Sequence, residues 1–286
     1  MTDALDPAAE HQRLLREVRS LRERVAAYEA SRWWRLHPRF ALRRLLNGRA
    51  SVQPEPGGHL ATFPPDFDEA DRELCRRVAP YTMTTASRIY ALVRAVEYLV
   101  DARVPGALVE CGVWRGGSMM AVALTLLRKG VSDRELYLYD TFAGMTEPGE
   151  EDVKHTGEPA RELLGDASPG ANVWAHAGLE EVREAMLGVG YPHERMRFVQ
   201  GPVEETLPEQ APADIALLRL DTDWYSSTKH ELVHLYPRLA PGGVLILDDY
   251  GYWQGSRQAV DEYVAEHGLQ LLLNRIDHAG RIAIKR

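Results

Sequence analysis

Two short apolar runs in the second half of the chain each stop at carboxylates. Ile215, Leu217, Leu218 and Leu220 lead into Asp221, with Asp223 two residues on, and Gly243 to Leu247 lead into Asp248 and Asp249. Runs of this length read as strands buried in a parallel sheet, and ligands of open α/β sheets collect just beyond the carboxyl ends of such strands. Neighbouring strands therefore deliver Asp221, Asp248 and Asp249 to one rim. Three carboxylates at one point repel one another, and a hard divalent cation relieves that repulsion. Each Asp could equally cap the helix that follows it, so both readings stand on these residues alone.

A second cluster follows the apolar run Ala107–Cys111, in Glu110-Cys111-Gly112-Val113-Trp114-Arg115-Gly116-Gly117-Ser118. Glycines permit a tight turn and close approach of a ligand to the backbone, and the next helix offers its first N–H groups. The spacing is Gly-x-x-x-Gly-Gly, not the Gly-x-Gly-x-x-Gly of dinucleotide folds, which suits a ligand without a pyrophosphate. The next strand-like run ends at Asp140, where a carboxylate can accept from both hydroxyls of a ribose. Cys111 has no histidine near it in sequence and reads as a small packing residue. From Thr141 to Asn172 runs a long irregular segment that leaves this rim directly; loops of that length are usually functional or disordered, and it reads as a substrate wall or a lid.

These residues need elements to hold them. Residues 67–103 read as helical, with Asp68 as a cap and Ile89, Leu92, Val93, Val96 and Leu99 as an apolar stripe. Beyond Pro105-Gly106 the pattern alternates: strand 107–111, helix 116–128, strand 135–140, helix 178–188, strands 195–200 and 214–220, helix 225–239, strand 243–248 and helix 256–267. Such alternation predicts an α/β fold with a mostly parallel sheet and helices on both faces. Leu271–Leu273 and Arg281–Ile284, joined by a short connection, predict an antiparallel hairpin at the end of a seven-stranded sheet.

The 286 residues carry a net charge of −8, but residues 1–50 hold 11 Arg against 6 Asp and Glu, a net +5 that leaves −13 for the rest. The larger part is acidic, which argues against nucleic acid as a partner. With Cys75 and Cys111 as the two cysteines there is no disulfide framework, and with no apolar run of transmembrane length the expected location is the cytoplasm. Residues 1–50 form a helical, basic extension. Leu14, Val18, Leu21, Val25 and Tyr28 make a short a/d seam, and Trp33, Trp34 and Phe40 alternate with arginines after it. A second copy of the chain, a membrane surface or the chain's own acidic part could each cover those rings. Residues 51–66, rich in Pro and Gly, read as a linker to a domain over 67–286.

Several separated motifs resemble the macrocin O-methyltransferase family, which includes the novobiocin-pathway sugar methyltransferase. They are Leu108 to Ser118, Asp140-Thr141-Phe142-Ala143-Gly144-Met145, Leu220 to Thr228, Leu235 to Gly243 and Asp248-Asp249-Tyr250-Gly251. The resemblance spans roughly residues 80–286 and not residues 1–66. It implies a class I methyltransferase (Rossmann-like) fold, S-adenosylmethionine as donor, Mg²⁺, and a sugar hydroxyl of an antibiotic-type natural product as acceptor. By motif, Glu110, Gly112 and Ser118 line the methionine end, Asp140 and Thr141 hold the ribose, and Gln200 and Gly201 lie by the adenine. Tyr81 and Met83 belong to a lead-in segment that closes over the cofactor. Asp221, Asp248 and Asp249 correspond to the metal ligands, with Asp221 doubling as general base. Cys111 departs from the small residue expected at its position.

The chemistry agrees with these groups, since a sugar hydroxyl is a very weak acid and a metal favours its deprotonated form. Three other readings remain: a metal-dependent phenol or catechol methyltransferase, a nicotinamide-dependent oxidoreductase disfavoured by the glycine spacing, and a non-catalytic scaffold. Deleting residues 1–50 is expected to leave a domain that binds S-adenosylmethionine but differs in oligomeric state or in association with an acidic surface, because Trp33, Trp34 and Phe40 on an Arg-rich segment need cover. Light scattering at low and high salt checks this; equal mass and solubility would make the extension dispensable.

Overall fold

The computed structural model describes residues 63–165 and 175–286. The seam and basic segment expected in residues 1–50, and most of the 51–66 linker, lie outside those residues. Seven strands form one sheet: β1 (Ala107–Cys111), β2 (Leu136–Asp140), β3 (Met196–Gln200), β4 (Ile215–Leu220), β5 (Leu239–Leu247), β6 (Asn274–Arg275) and β7 (Arg281–Ile284), in the order β3-β2-β1-β4-β5-β7-β6. The first five are parallel, and β7 pairs antiparallel with both β5 and β6. β1 and β4 are buried along their whole length, which explains why they read as continuous apolar runs rather than alternating ones. The order reverses between β1 and β4, so the crevice beyond their carboxyl ends is the place where an open α/β sheet takes a ligand.

Helices cover both faces. On one side lie α1 (Glu69–Val78), α2 (Ala86–Asp101), α3 (Gly117–Arg128) and α5 (Leu179–Leu187), whose apolar residues share a core with Leu108, Leu136, Leu217 and Ile246. Asp68 caps α1 as expected, accepting from Asp71 N–H at 2.8 Å. The stripe Ile89, Leu92, Val93, Val96 and Leu99 is the buried face of α2. On the other side α7 (Tyr225–Leu235) and α8 (Gln254–Glu266) set Leu232, Leu235, Val260 and Tyr263 against Val109, Leu218 and Leu245. Two short helices, α4 (Ala160–Gly165) and α6 (Val203–Thr206), fall where the sequence suggested only loop. No helix among the described residues is long and apolar enough to cross a membrane.

Three boundaries differ from expectation for physical reasons. The helix expected over 225–239 ends at Leu235, and a 3₁₀ turn over Tyr236–Arg238 follows, because Pro237 has no N–H to continue the ladder. β5 begins at Leu239 rather than 243, since Leu239 pairs with Ile215 before the register shifts and resumes at Leu217↔Val244. The sixth strand is Asn274–Arg275, not Leu271–Leu273. Leu271 and Leu273 do pack against the core while Leu272 is exposed, so their alternation is real. Pairing to β7 starts only at Asn274.

The segment after β2 is held down as a wall. Met145, Leu163 and Leu164 pack on Trp224, Trp253 and Tyr252, and Trp224 Nε1–H donates to the Thr146 carbonyl at 3.0 Å. Asp152, buried at 2% exposure, accepts from the Tyr225 N–H at the start of α7 and from the Gly149 N–H, both at 2.7 Å. It thus caps a helix from a distant part of the chain and pins the segment at the same time. A Cβ at Gly255 would run into the same carboxylate, so the second residue of α8 is glycine. Asp152→Ala is expected to cost about 1–3 kcal/mol, because two N–H groups lose a buried, charged acceptor. It should also speed hydrogen exchange over residues 145–165. Unchanged denaturation and exchange would mean the wall is held without it.

Candidate active site

The glycine turn and the carboxylate rim meet because β1 and β4 leave the sheet side by side. The Asp221 N–H donates to the Cys111 carbonyl at 2.9 Å. Gly112, at φ 82°, passes so close to the Asp221 carbonyl that a Cβ there would overlap it. Gly117 lies equally close to the lead-in segment, where a Cβ would sit 2.6 Å from the Tyr81 carbonyl oxygen. Glycine at these two positions is what lets three parts of the chain converge.

A cavity opens over this junction. Gly112, Asp140, Thr141, Gly201 and Met83 line it together with Asp221, Asp223 and Trp224. Other residues singled out in the sequence stand behind this lining. Glu110 is buried beneath the turn, Ser118 is buried in the first turn of α3, and Tyr81 backs on Gly117. Gln200 is exposed at the end of β3, and the residues just after it, Gly201, Pro202 and Val203, reach the cavity in its place. Asp140 braces the turn as well as facing the cavity. Its Oδ2 accepts from the Val113 and Trp114 N–H groups at 2.9 Å each, and its Oδ1 from Phe142 N–H at 2.8 Å. Burial pushes its carboxyl up and those three N–H groups pull against the rise. A carboxylate has about four acceptor sites; three take these N–H groups, and the Thr141 hydroxyl stands 3.4 Å from Oδ1.

Beside the glycine turn, β4 and β5 end in register at Leu220↔Leu247. Asp221, Asp248 and Asp249 each offer an oxygen within 4.8 Å of the others. The gathering expected of neighbouring strands is therefore present. What the apolar reading of β4 passed over is Arg219, a guanidinium only 2% exposed in the middle of the sheet. Its Nη1 donates to Glu110, its register partner on β1, and pairs with Asp221 at 2.7 Å. Its Nη2 donates to Asp248 at 2.6 Å and to the Thr84 hydroxyl at 3.1 Å. Arg88 of α2 holds the other oxygen of Asp248. The one signal of this in the sequence is a charged residue inside a run that must be buried, which is tolerated only with partners on hand.

Charge is unevenly balanced here. Burial works against the charge of Asp248, but Arg219 and Arg88 outweigh it and hold its carboxyl below the usual range. Burial pushes Asp221 and Asp249 well above that range, Arg219 pulls against the rise, and neighbouring carboxylates add to it. Asp223, held by Trp253 Nε1–H at 2.6 Å, is pushed up to about 7 by burial and by Asp221. Two guanidinium groups thus face Glu110, Asp221, Asp248, Asp249 and Asp277, with Asp223 next to Asp221 and Asp249. A cluster of hard oxygen donors with surplus negative charge fits a divalent cation. Glu110, pushed up to about 7 by burial, keeps one buried oxygen, Oε2, without a hydrogen-bond partner, a free acceptor beside the glycine turn. Cys111 is fully buried and its thiol is pushed well up by burial, as a packing residue should be.

Residues 37–284 match the family model for macrocin O-methyltransferase. The chain belongs to the macrocin O-methyltransferase family. The match starts upstream of the motifs that suggested it, so the end of the basic extension and the linker fall within family sequence. Among its relatives is the 8-demethyl-8-(2,3-dimethoxy-alpha-L-rhamnosyl)-tetracenomycin-C 4′-O-methyltransferase of Streptomyces olivaceus, 35% identical over 77% of this chain and 83% of that protein. The demethyldecarbamoylnovobiocin O-methyltransferase of Streptomyces niveus is 36% identical over 70% of this chain and 74% of that one. In structure the chain is similar to the O-methyltransferase NovP, with a TM-score of 0.64 and 33% identity over 72% of this chain and 82% of that one. Family membership makes this chain an O-methyltransferase, and the sheet with its antiparallel end strands is that of class I methyltransferases.

Proposed function

We propose that this O-methyltransferase moves the methyl group of S-adenosylmethionine to a sugar hydroxyl of a glycosylated natural product, assisted by a divalent cation at Asp221, Asp248 and Asp249. The observation that carries the reading is the convergence of those three carboxylates, Asp221 among them lining the same cavity as Gly112 of the glycine turn, with Asp248 and Asp249 buried just behind it. The sugar acceptor is supported by the family and by relatives whose names specify sugar O-methylation.

In this reading Glu110, Gly112 and Ser118 shape the methionine end, the free oxygen of Glu110 being the acceptor for an ammonium group. Asp140 and Thr141 take the ribose, and Gly201, with Gln200 behind it, borders the adenine. Tyr81 and Met83 cover the cofactor. When bound, the cofactor supplies an electrophilic methyl and the cation a Lewis acid beside the acceptor hydroxyl. The side chain of Asp221 is a quarter exposed and lines the cavity, so it is placed to accept the hydroxyl proton. Its neighbours Asp248 and Asp249 raise its affinity for that proton. The wall built on Trp224 and Thr146 keeps water from the transfer and orients the acceptor. No covalent step on the protein is needed, consistent with the inert environment of Cys111.

Two tests follow from these assignments. Asp140→Ala should weaken S-adenosylmethionine binding by about 1–3 kcal/mol in calorimetry, from the lost bonds to a charged group and the loosened turn; equal affinity would remove Asp140 from the site. Methyl transfer to a panel of glycosides should stop with EDTA and return with Mg²⁺, and Asp249→Asn should raise the Mg²⁺ concentration required. Full turnover in chelator would leave the carboxylates with a structural role, and methylation of catechols but no glycoside would overturn the acceptor class.

A further inference from the structure

Arg88 lies in the first turn of α2, outside the sheet, yet it reaches the carboxylate rim. Its Nη1 donates to Asp248 Oδ2, and its Nε donates at 2.8 Å to Asp277 Oδ2, in the turn between β6 and β7. Thr85, the cap of α2, donates to the same Asp277 oxygen at 2.8 Å. Asp277 is fixed in turn by the Ala279 and Gly280 N–H groups. The guanidinium is 12% exposed and Asp248 5%, so this pair is shielded from solvent and not a surface contact of small consequence.

The residues just before Arg88 form the lead-in segment. The Tyr81 carbonyl and Thr82 Cβ press on Gly117, at the head of α3, and Met83 lines the cavity. The Thr84 hydroxyl accepts from Arg219 Nη2, the nitrogen that holds Asp248 Oδ1. Residues 81–88 therefore touch the glycine turn at one end and, through two guanidinium groups, both oxygens of Asp248 at the other. Each of those oxygens keeps a further lone pair for a cation, whose direction is set by where Arg88 and Arg219 hold the carboxylate.

We propose that Arg88 is a positioning residue that couples the two halves of the site. Seating of the lead-in segment against an occupied cofactor end orients Asp248 for a divalent cation, and a bound cation seats the segment. This rests on the function proposed above, with cofactor at the glycine turn and cation at the rim. Such coupling is reciprocal by thermodynamic necessity: the factor by which one ligand tightens the other is the same in both directions.

The full chain is titrated with Mn²⁺, free ion being read by electron paramagnetic resonance, with and without saturating S-adenosylhomocysteine. The reverse titration is done by calorimetry. In the native chain each probe is expected to tighten the other by about fivefold or more, the low end of common allosteric couplings. In Arg88→Met the factor should fall to near one while S-adenosylhomocysteine alone still binds as in the native chain. Asp277→Asn, which removes the charged anchor of Arg88 without touching the rim, should lower the factor too, and it carries the test if the Arg88 variant does not fold. Arg88→Lys keeps the charge but cannot bridge both carboxylates with the planar fork of arginine, so it should restore little of the factor. A native factor of one, an unchanged factor in the Met and Asn variants, or full coupling in the Lys variant would overturn the proposal. Failure of the native chain to bind either probe would instead overturn the function on which it rests.

Discussion

Arg219 sits between the glycine turn and the carboxylate rim, at 2% exposure, with Glu110, Asp221 and Asp248 around its guanidinium. Taking such a charge out of water is costly, and the contacts around it offset that cost without making the group a strong source of stability. Its value is geometric. A planar guanidinium offers donors in fixed directions, so the carboxylates that meet it have fixed directions as well. Removing it would leave Glu110 and Asp248 buried with less compensation, which is typically far worse than replacing a whole ion pair.

The rest of the structure can be read as the means of bringing partners to that guanidinium. Parallel pairing of β1, β4 and β5 lines up Glu110, Arg219 and Ile246 across three strands, and the reversal of strand order opens the crevice above them. The lead-in segment contributes Thr84, while Arg88 of helix α2, anchored on Asp277 of the C-terminal turn, holds the far oxygen of Asp248. Even so, negative charge remains in surplus, and Asp221, Asp223 and Asp249 are all pushed above the ordinary carboxylate range. That is the electrostatic condition under which a bound cation has most to gain.

On the opposite side, Asp152 and the Trp224–Trp253 pair hold the segment after β2 against α7 and α8. The same α7 start carries Trp224 into the cavity lining. Wall and rim are therefore built on shared elements, joined by the packed rings of Trp224 and Trp253 and by the Trp253 Nε1–H bond to Asp223.

Much of this was legible in the chain itself. Strand–helix alternation, the glycine turn and the acids ending apolar runs are local signals, since each depends on residues a few positions apart and on the burial of the strand that carries them. They were enough for the fold class, for the gathering of Asp221, Asp248 and Asp249, and for Gly112 and Asp140 as neighbours at one rim, whereas Thr141, Gly201 and Met83 follow only from the family resemblance. Arg219 and Arg88 were not legible as site residues, because a charge in a buried strand or on a helix gains meaning only from partners 109, 160 and 189 residues away. Nor could sequence tell that Gln200 stands outside the lining, that Asp140 is already bound to the turn, or that Asp152 caps a helix begun at Tyr225. Periodicity and composition report which side of an element is buried; which groups then meet is decided by how strands and helices far apart in the chain are laid against one another.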